Sequence, residues 1–209
     1  MNHHSYFFFY LVVESLKRNK PKYKQIVDAA VVVIAENGYH QAQVSKIAKQ
    51  AGVADGTIYL YFKNKEDILV SVFREKMSIF VENLQKILGA DVSSEEKLYR
   101  MIENHFRVLH SDHHLAIVTQ LELRQSNKDL RHEINNVLKD YLALLDRILA
   151  EGIEQGEFEK GMDIRLARQM VFGTMDEIIT SWVMNDQKYD LMKLAPNVHR
   201  LLMKGMKAD

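Results

Sequence analysis

The chain holds 209 residues, 47% hydrophobic and 27% charged, with only 9 Gly and 2 Pro; this is the composition of one or two packed globular units and excludes collagen-like, elastic and broadly disordered chains. The absence of Cys removes disulfide scaffolds, thiolate zinc sites, iron–sulfur ligation and cysteine nucleophiles together, and fits a reducing compartment, with the cytoplasm as the default. The formal net charge of zero argues against nucleic-acid binding by bulk positive charge, yet up to Lys76 eleven basic residues stand against seven acidic ones, so the front third is near +4 and the remainder near −4.

Tyr6 to Val13 is an unbroken apolar run, YFFFYLVV. It falls short of the roughly 20 residues needed to cross a bilayer, and it lacks the basic segment and small-residue cleavage site of a signal peptide. No membrane association is expected. Residues 1–20 read as a disordered extension, either adventitious, from a start placed too early, or a segment that docks on the body.

From Pro21 onward apolar residues recur at three and four spacing with almost no alternation, so the fold class is all-α. The first helix opens at Pro21, buries Ile26, Ala29, Ala30, Val33 and Ile34, and stops at Asn37-Gly38. Three short helical pieces follow, divided by Ala51-Gly52-Val53 and by Lys63-Asn64. A longer helix runs from Asn64, a plausible N-cap, to about Leu88. Ser93 and Glu96 form a capping box for a helix to about His110, Ser111–His114 reads as a turn, and Leu115–Arg124 is helical again. Ser126 with Asp129 reads as a second such start, for a long helix ending before Gly156. A helix from Asp163 to about Met184 is apolar on more than one face, and the last helix restarts at Pro196.

Gln43 to Phe62, QVSKIAKQAGVADGTIYLYF, has the spacing of a helix-turn-helix. Ala48 is small where two helices cross, Gly52 stands where the sharp turn wants positive φ, and Ile58 is apolar where the second helix packs back on the first. With these residues the segment from Pro21 to Lys65, including Gly38-Tyr39, Gly56 to Phe62 and Lys65-Glu66, resembles the DNA-binding domain of the TetR family of bacterial repressors. The resemblance implies a three-helix reader domain over residues 21–66 and an effector-binding and dimerisation domain over 67–209.

In such a fold the helix from about Ala54 to Tyr61 enters the major groove of double-stranded DNA and presents its first residues to base edges. Gly56 then lets the backbone approach closely, and Thr57 touches a thymine methyl or a phosphate. Tyr59 and Tyr61 face phosphates with Leu60 as an apolar base contact, although Tyr61, like Phe62, can equally be core. Asp55 either complements the helix dipole or accepts from a cytosine amine. Lys65 is the phosphate clamp, and Gln43 and Ser45 reach a phosphate from the start of the preceding helix. The modest charge of this domain implies a homodimer on a pseudo-palindromic operator, assembled through the last two helices, roughly Leu166–Met184 and Asn197–Met206.

Beyond Met77 no catalytic constellation stands out. Its Met and aromatic residues fit either ordinary core or a ligand cavity. The stretches AIVTQLELRQSN (Ala116–Asn127), RLARQMVFGT (Arg165–Thr174) and TSWVMNDQKYDL (Thr180–Leu191) resemble the acyl-CoA-responsive members of the same family, which repress fatty-acid degradation genes. That resemblance implies a long-chain acyl-CoA effector and no cofactor. The tunnel would be walled by Met101, His105, Leu109, Leu121, Phe172, Met175 and Ile179. Arg124, Gln125 and Asn127 would form its polar mouth, with Arg124 alternatively in a surface ion pair with Glu122 or Asp129. Two other readings stay open: a repressor that binds cationic drugs through Asp176 or Glu177, and a metal-dependent enzyme using the histidines of HSDHH, for which an exposed loop is the simpler account and no metal is expected.

Overall fold

The computed structural model describes residues 20–208, so the expected extension at residues 1–20 lies almost wholly outside them. Every named element among the described residues is helical; the exception to helical pairing is an isolated bridge between Phe158 and Lys207. The chain forms two compact units that divide between Val72 and Phe73.

The first unit contains α1 (Pro21–Asn37), α2 (Val44–Gln50), α3 (Asp55–Ile58) and the start of α4 (Lys65–Leu88). Pro21 lies in the first turn of α1, where its missing N–H costs nothing, and Gly38 ends the helix at φ 72°. Helix α1 packs on α2, and Ile26, Ala30 and Ile34 of the first and Ile47 and Ala48 of the second are all buried to 1% exposure or less. Gln25 Nε2 donates to Ala51 O at 2.7 Å and ties the end of α2 to α1. Asn64 caps α4 as its sequence predicts, its Oδ1 accepting from Asp67 N at 2.8 Å.

The second unit contains the rest of α4, α5 (Ser94–Ser111), α6 (His113–Leu121), α7 (Lys128–Glu154), α8 (Ile164–Met184), a 3₁₀ turn (Leu191–Leu194) and α9 (Ala195–Met203). Helix α5 is central, packing on α6, α7, α8 and α9, while α8 also packs on α7 and α6. Their shared core includes Ile102 and Phe106 of α5, Leu145 and Ile148 of α7, and Val171, Met175 and Trp182 of α8.

Four local expectations change. The helix read as Leu115–Arg124 ends at Leu121 with Glu122 as its C-cap, so Arg124 lies beyond it. The turn read at Ser111–His114 shrinks to Asp112, which caps α6 by accepting from Leu115 N at 2.9 Å, so His113 and His114 are helical. The N-cap of α7 is Asn127, not Ser126: its Oδ1 accepts from Asp129 N at 2.9 Å and Leu130 N at 3.1 Å. The reading helix is one turn long instead of reaching Tyr61. Leu60 N and Tyr61 N donate three residues back, to Thr57 O at 3.2 Å and Ile58 O at 3.0 Å, and this tighter winding carries Phe62 into the core, stacked on Tyr23 at 5.1 Å between ring centres.

Candidate functional site

The first candidate site is the α2–turn–α3 segment. Ala48 and Ile58 are fully buried, and Gly52 adopts φ 64°, the left-handed region that its place in the turn requires. Val53 N donates to Ala48 O at 3.0 Å and fixes the angle between the two helices. With the interior so satisfied, Ala54, Asp55, Gly56, Tyr59 and Leu60 are exposed on one side, with Gln43 and Ser45 exposed at the start of α2; Thr57 and Tyr61 are half-buried. Leu60 at 70% and Tyr59 at 59% exposure are large side chains turned to water in a loop whose own core is complete. A Cβ built at Gly56 would meet nothing within 4 Å, so packing inside this chain does not demand the glycine.

Lys65 is half-buried and already engaged. Its Nζ donates to Tyr39 O and His40 O, each at 3.0 Å, and lies 4.7 Å from the Tyr39 ring centre. The ammonium therefore holds the α1–α2 loop and keeps one N–H for any further acceptor.

The second candidate site is a small, partly open pocket of the second unit, its cavity about 20 Å³. Phe73, Met77 and Phe80 reach it from α4, spaced by four and three so that they share one face. His105 and Leu109 come from α5, Thr119 and Gln120 from α6, Leu138 from α7, Phe172 and Asp176 from α8, and Leu123 from the segment after α6. The lining is mostly apolar, its polar side chains being His105, Thr119, Gln120 and Asp176. Asp176, buried to 7% exposure, forms an ion pair and hydrogen bond with Arg124, whose side chain is 59% exposed. Gln120 lies beside both Thr180 and Asp176, and the amide orientation that satisfies both directs its nitrogen to Asp176 Oδ1 at 3.0 Å. Thr119 Oγ1 donates back to Leu115 O at 2.9 Å.

His105 Nδ1 lies 2.8 Å from the hydroxyl of Tyr141, both residues buried. Burial holds the His105 imidazole down at a pKa of about 4 and pushes the Tyr141 phenol well above its usual value. Both groups are thus neutral at physiological pH.

Of the wall residues predicted from sequence, His105, Leu109 and Phe172 line this cavity. Met101, Met175 and Ile179 are buried to 1% exposure or less but do not line it, and Leu121 is 48% exposed, on the outside of α6. Among the mouth residues, Arg124 pairs with Asp176 rather than with Glu122 or Asp129, because Asp176 is the buried carboxylate and needs the counter-charge. Gln125 is buried, donating to Glu122 O at 3.1 Å and Glu122 Oε2 at 2.7 Å, and Asn127 serves as the cap of α7. Sequence reasoning missed the α4 wall. Its signal was the Phe73, Met77, Phe80 stripe, which a single helix cannot distinguish from ordinary core. His110 and His113 pack round Trp182, at 5.6 and 5.4 Å between ring centres, and among the described residues no group of three or more potential ligands is disposed to hold a metal ion. Nor is any described helix long and apolar enough to cross a membrane.

Comparison with known proteins places both units. Residues 26–72 match the model for bacterial regulatory proteins of the tetR family, and residues 73–205 match that for the C-terminal region of YsiA-like proteins. The fatty acid metabolism regulator protein of Bacillus subtilis (strain 168) is 63% identical over 191 residues, covering 91% of this chain and 98% of that protein. The crystal structure of the regulator FadR from Bacillus subtilis in complex with stearoyl-CoA superimposes with a TM-score of 0.86 at 64% identity, covering 88% of this chain and 98% of that one. The fatty acid degradation regulator FadR from Bacillus halodurans gives 0.85 at 61% identity, covering 88% and 100%. With its helix-turn-helix and a C-terminal helical domain that both match across the chain, this protein belongs to the TetR family of bacterial regulators.

Proposed function

We propose that the protein is a DNA-binding repressor of fatty-acid degradation genes, acting in the cytoplasm as a homodimer on a pseudo-palindromic operator, and released from it by long-chain acyl-CoA. The observation that carries this reading is the full-length similarity to FadR proteins, one of which is described with stearoyl-CoA bound, joined to a mostly apolar cavity in the equivalent domain.

The residues give each step a physical basis. Leu60 and Tyr59 gain cover on meeting a groove, and Gly56 leaves room for close backbone approach. Gln43, Ser45, Thr57, Tyr61 and the remaining N–H of Lys65 supply donors for phosphates. The dimer face is the outer side of α8 with α9, where Leu166, Met170, Met184 and Leu201 are between 47% and 66% exposed. A Cβ at Gly173 on the same helix would meet nothing within 4 Å, leaving room for a close helix crossing.

An acyl chain that opens this pocket buries its CH₂ groups against Phe73, Met77, Phe80, Leu109 and Phe172, worth about 0.8 kcal/mol per buried CH₂. A hundredfold loss of operator affinity needs about 2.7 kcal/mol of coupling, so only a few groups need bind better in the released form. Helix α4 is the transmitter, because one continuous helix begins with Lys65 and Ile68 in the reader unit and supplies three walls of the cavity. A cationic ligand would have to displace Arg124 from Asp176 before using that carboxylate.

The test is fluorescence anisotropy of a labelled operator fragment titrated separately with stearoyl-CoA, stearate and a cationic dye. Release by stearoyl-CoA alone is expected. Release by the dye alone would overturn the ligand assignment, and failure to bind any fragment at low salt would overturn the DNA-binding one.

A further inference from the structure

Three of the polar side chains that line the cavity are engaged within the protein. Thr119 donates to main-chain oxygens of its own helix, Asp176 is paired with Arg124, and Gln120 is held between Thr180 and Asp176. His105 differs. It is buried to 6% exposure, it lines the cavity, and its only hydrogen bond among the described residues is the one from Nδ1 to Tyr141. Nε2 is left over.

The direction of the Tyr141 hydrogen bond decides what Nε2 carries. Tyr141 is 1% exposed, does not line the cavity, and has no hydrogen-bond partner among the described residues other than His105. A buried hydroxyl hydrogen that pointed elsewhere would be unserved, so Tyr141 donates and Nδ1 accepts. A neutral imidazole that accepts at Nδ1 carries its hydrogen on Nε2. Burial, which holds the His105 pKa down at about 4, keeps the ring in that neutral form. Phe80, 4.9 Å away between ring centres, and Phe172, edge-on at 6.4 Å, pack against the ring.

We propose that His105 Nε2–H is the hydrogen-bond donor to the thioester carbonyl oxygen of bound acyl-CoA, with Tyr141 as the positioning residue that sets the tautomer. The inference rests on the acyl-CoA reading above. A saturated acyl group has a single oxygen, its thioester carbonyl, and every atom beyond it is hydrocarbon that only Phe, Met and Leu walls can serve. A donor left bare in such a wall is costly, so it discriminates for a ligand that brings an acceptor to that depth. The contact thereby sets how far the chain enters, and a neutral donor favours the uncharged thioester over the carboxylate of a free fatty acid, which would have to give up its hydration without a counter-charge.

The experiment compares stearoyl-CoA with octadecyl-CoA, the thioether in which a CH₂ replaces the carbonyl, by calorimetric titration of the full-length protein. The wild type should bind the thioester roughly fivefold to tenfold more tightly, the worth of one net hydrogen bond. His105→Phe should bind both compounds alike, and His105→Gln, which restores an N–H, should recover part of the preference. Equal binding of the two compounds to the wild type, or a preference that survives in His105→Phe, overturns the assignment to His105 while the acyl-CoA reading stands. If neither compound binds the wild type, both fall. Nitrogen NMR of the wild type at neutral pH gives a readout free of any variant's folding: Nε2–H is expected, and Nδ1–H would overturn the proposal.

Discussion

Gly152, inside α7, is the position where the least chemical change should have the clearest structural consequence. A Cβ there would lie 2.3 Å from Phe158 Cδ2 and 2.4 Å from Cε2. Carbon atoms in contact prefer about 3.5–4.0 Å, so the ring must retreat by more than 1 Å. It has nowhere easy to go. Phe158 is 1% exposed, its N–H donates to Gly152 O at 3.1 Å, and it pairs with Lys207 near the chain end. Overpacking of this kind costs about 1–3 kcal/mol, and replacing a helical Gly by Ala returns about 1 kcal/mol; with the overlap this deep the cost falls at the upper end, so Gly152→Ala should destabilise the second unit by up to about 2 kcal/mol. That is a fall in Tm of up to roughly 6 °C. Trp182 is the only tryptophan and fully buried in the same unit, so its fluorescence reports the melt. In a Phe158→Ala background the ring is gone and Gly152→Ala should instead stabilise by about 1 kcal/mol. The same sign in both backgrounds would refute the packing argument.

Two contrasting substitutions separate binding from folding in the reader domain. Leu60→Ala removes a side chain that is 70% exposed, so Tm should stay unchanged while operator affinity falls by about 1–2 kcal/mol, measured by anisotropy. Lys65→Met removes both donors to the Tyr39 and His40 carbonyls and should lower Tm and operator affinity together, the former by an amount worth about 1–2 kcal/mol. The buried His105 makes stability depend on pH. With its pKa down near 4 in the folded protein against 6.5 in the unfolded chain, the unfolded state holds the extra proton between those values. The contribution is complete above about pH 6.5 and is lost as pH falls towards 4, at up to about 1.4 kcal/mol per pH unit. Urea titrations read by Trp182 should show this slope in the wild type and a shallower one in His105→Phe.

What could be read from the chain alone was local. The helix-turn-helix was legible because Ala48, Gly52 and Ile58 each answer to a neighbour a few residues away, as do the caps at Asn64 and Ser93. The length of α3 was not legible, since it is ended by Phe62 stacking on Tyr23, from the start of α1. At the head of α7 both Ser126 and Asn127 are good caps. The choice goes with a contact from the next turn of the helix, where Arg131 Nη1 donates to Gln125 O at 2.9 Å and Ser126 O at 3.3 Å, a pairing that neither cap residue signals by its own type. The cavity depends on the rotation of five helices about their axes, which no residue declares by its type. Arg124 and Asp176 are 52 positions apart, and Tyr141 and His105 are 36 apart, so neither partnership leaves a mark on the local pattern.

The claim that effector and operator oppose one another through this protein has a direct thermodynamic test, because coupling between two sites is reciprocal. The Kd for stearoyl-CoA should be measured by titration calorimetry on the free protein and on the protein saturated with operator, alongside the operator Kd with and without saturating stearoyl-CoA. The account predicts that operator weakens acyl-CoA binding by the same factor by which acyl-CoA weakens operator binding, on the order of a hundredfold. An acyl-CoA affinity that is identical with and without operator would contradict it.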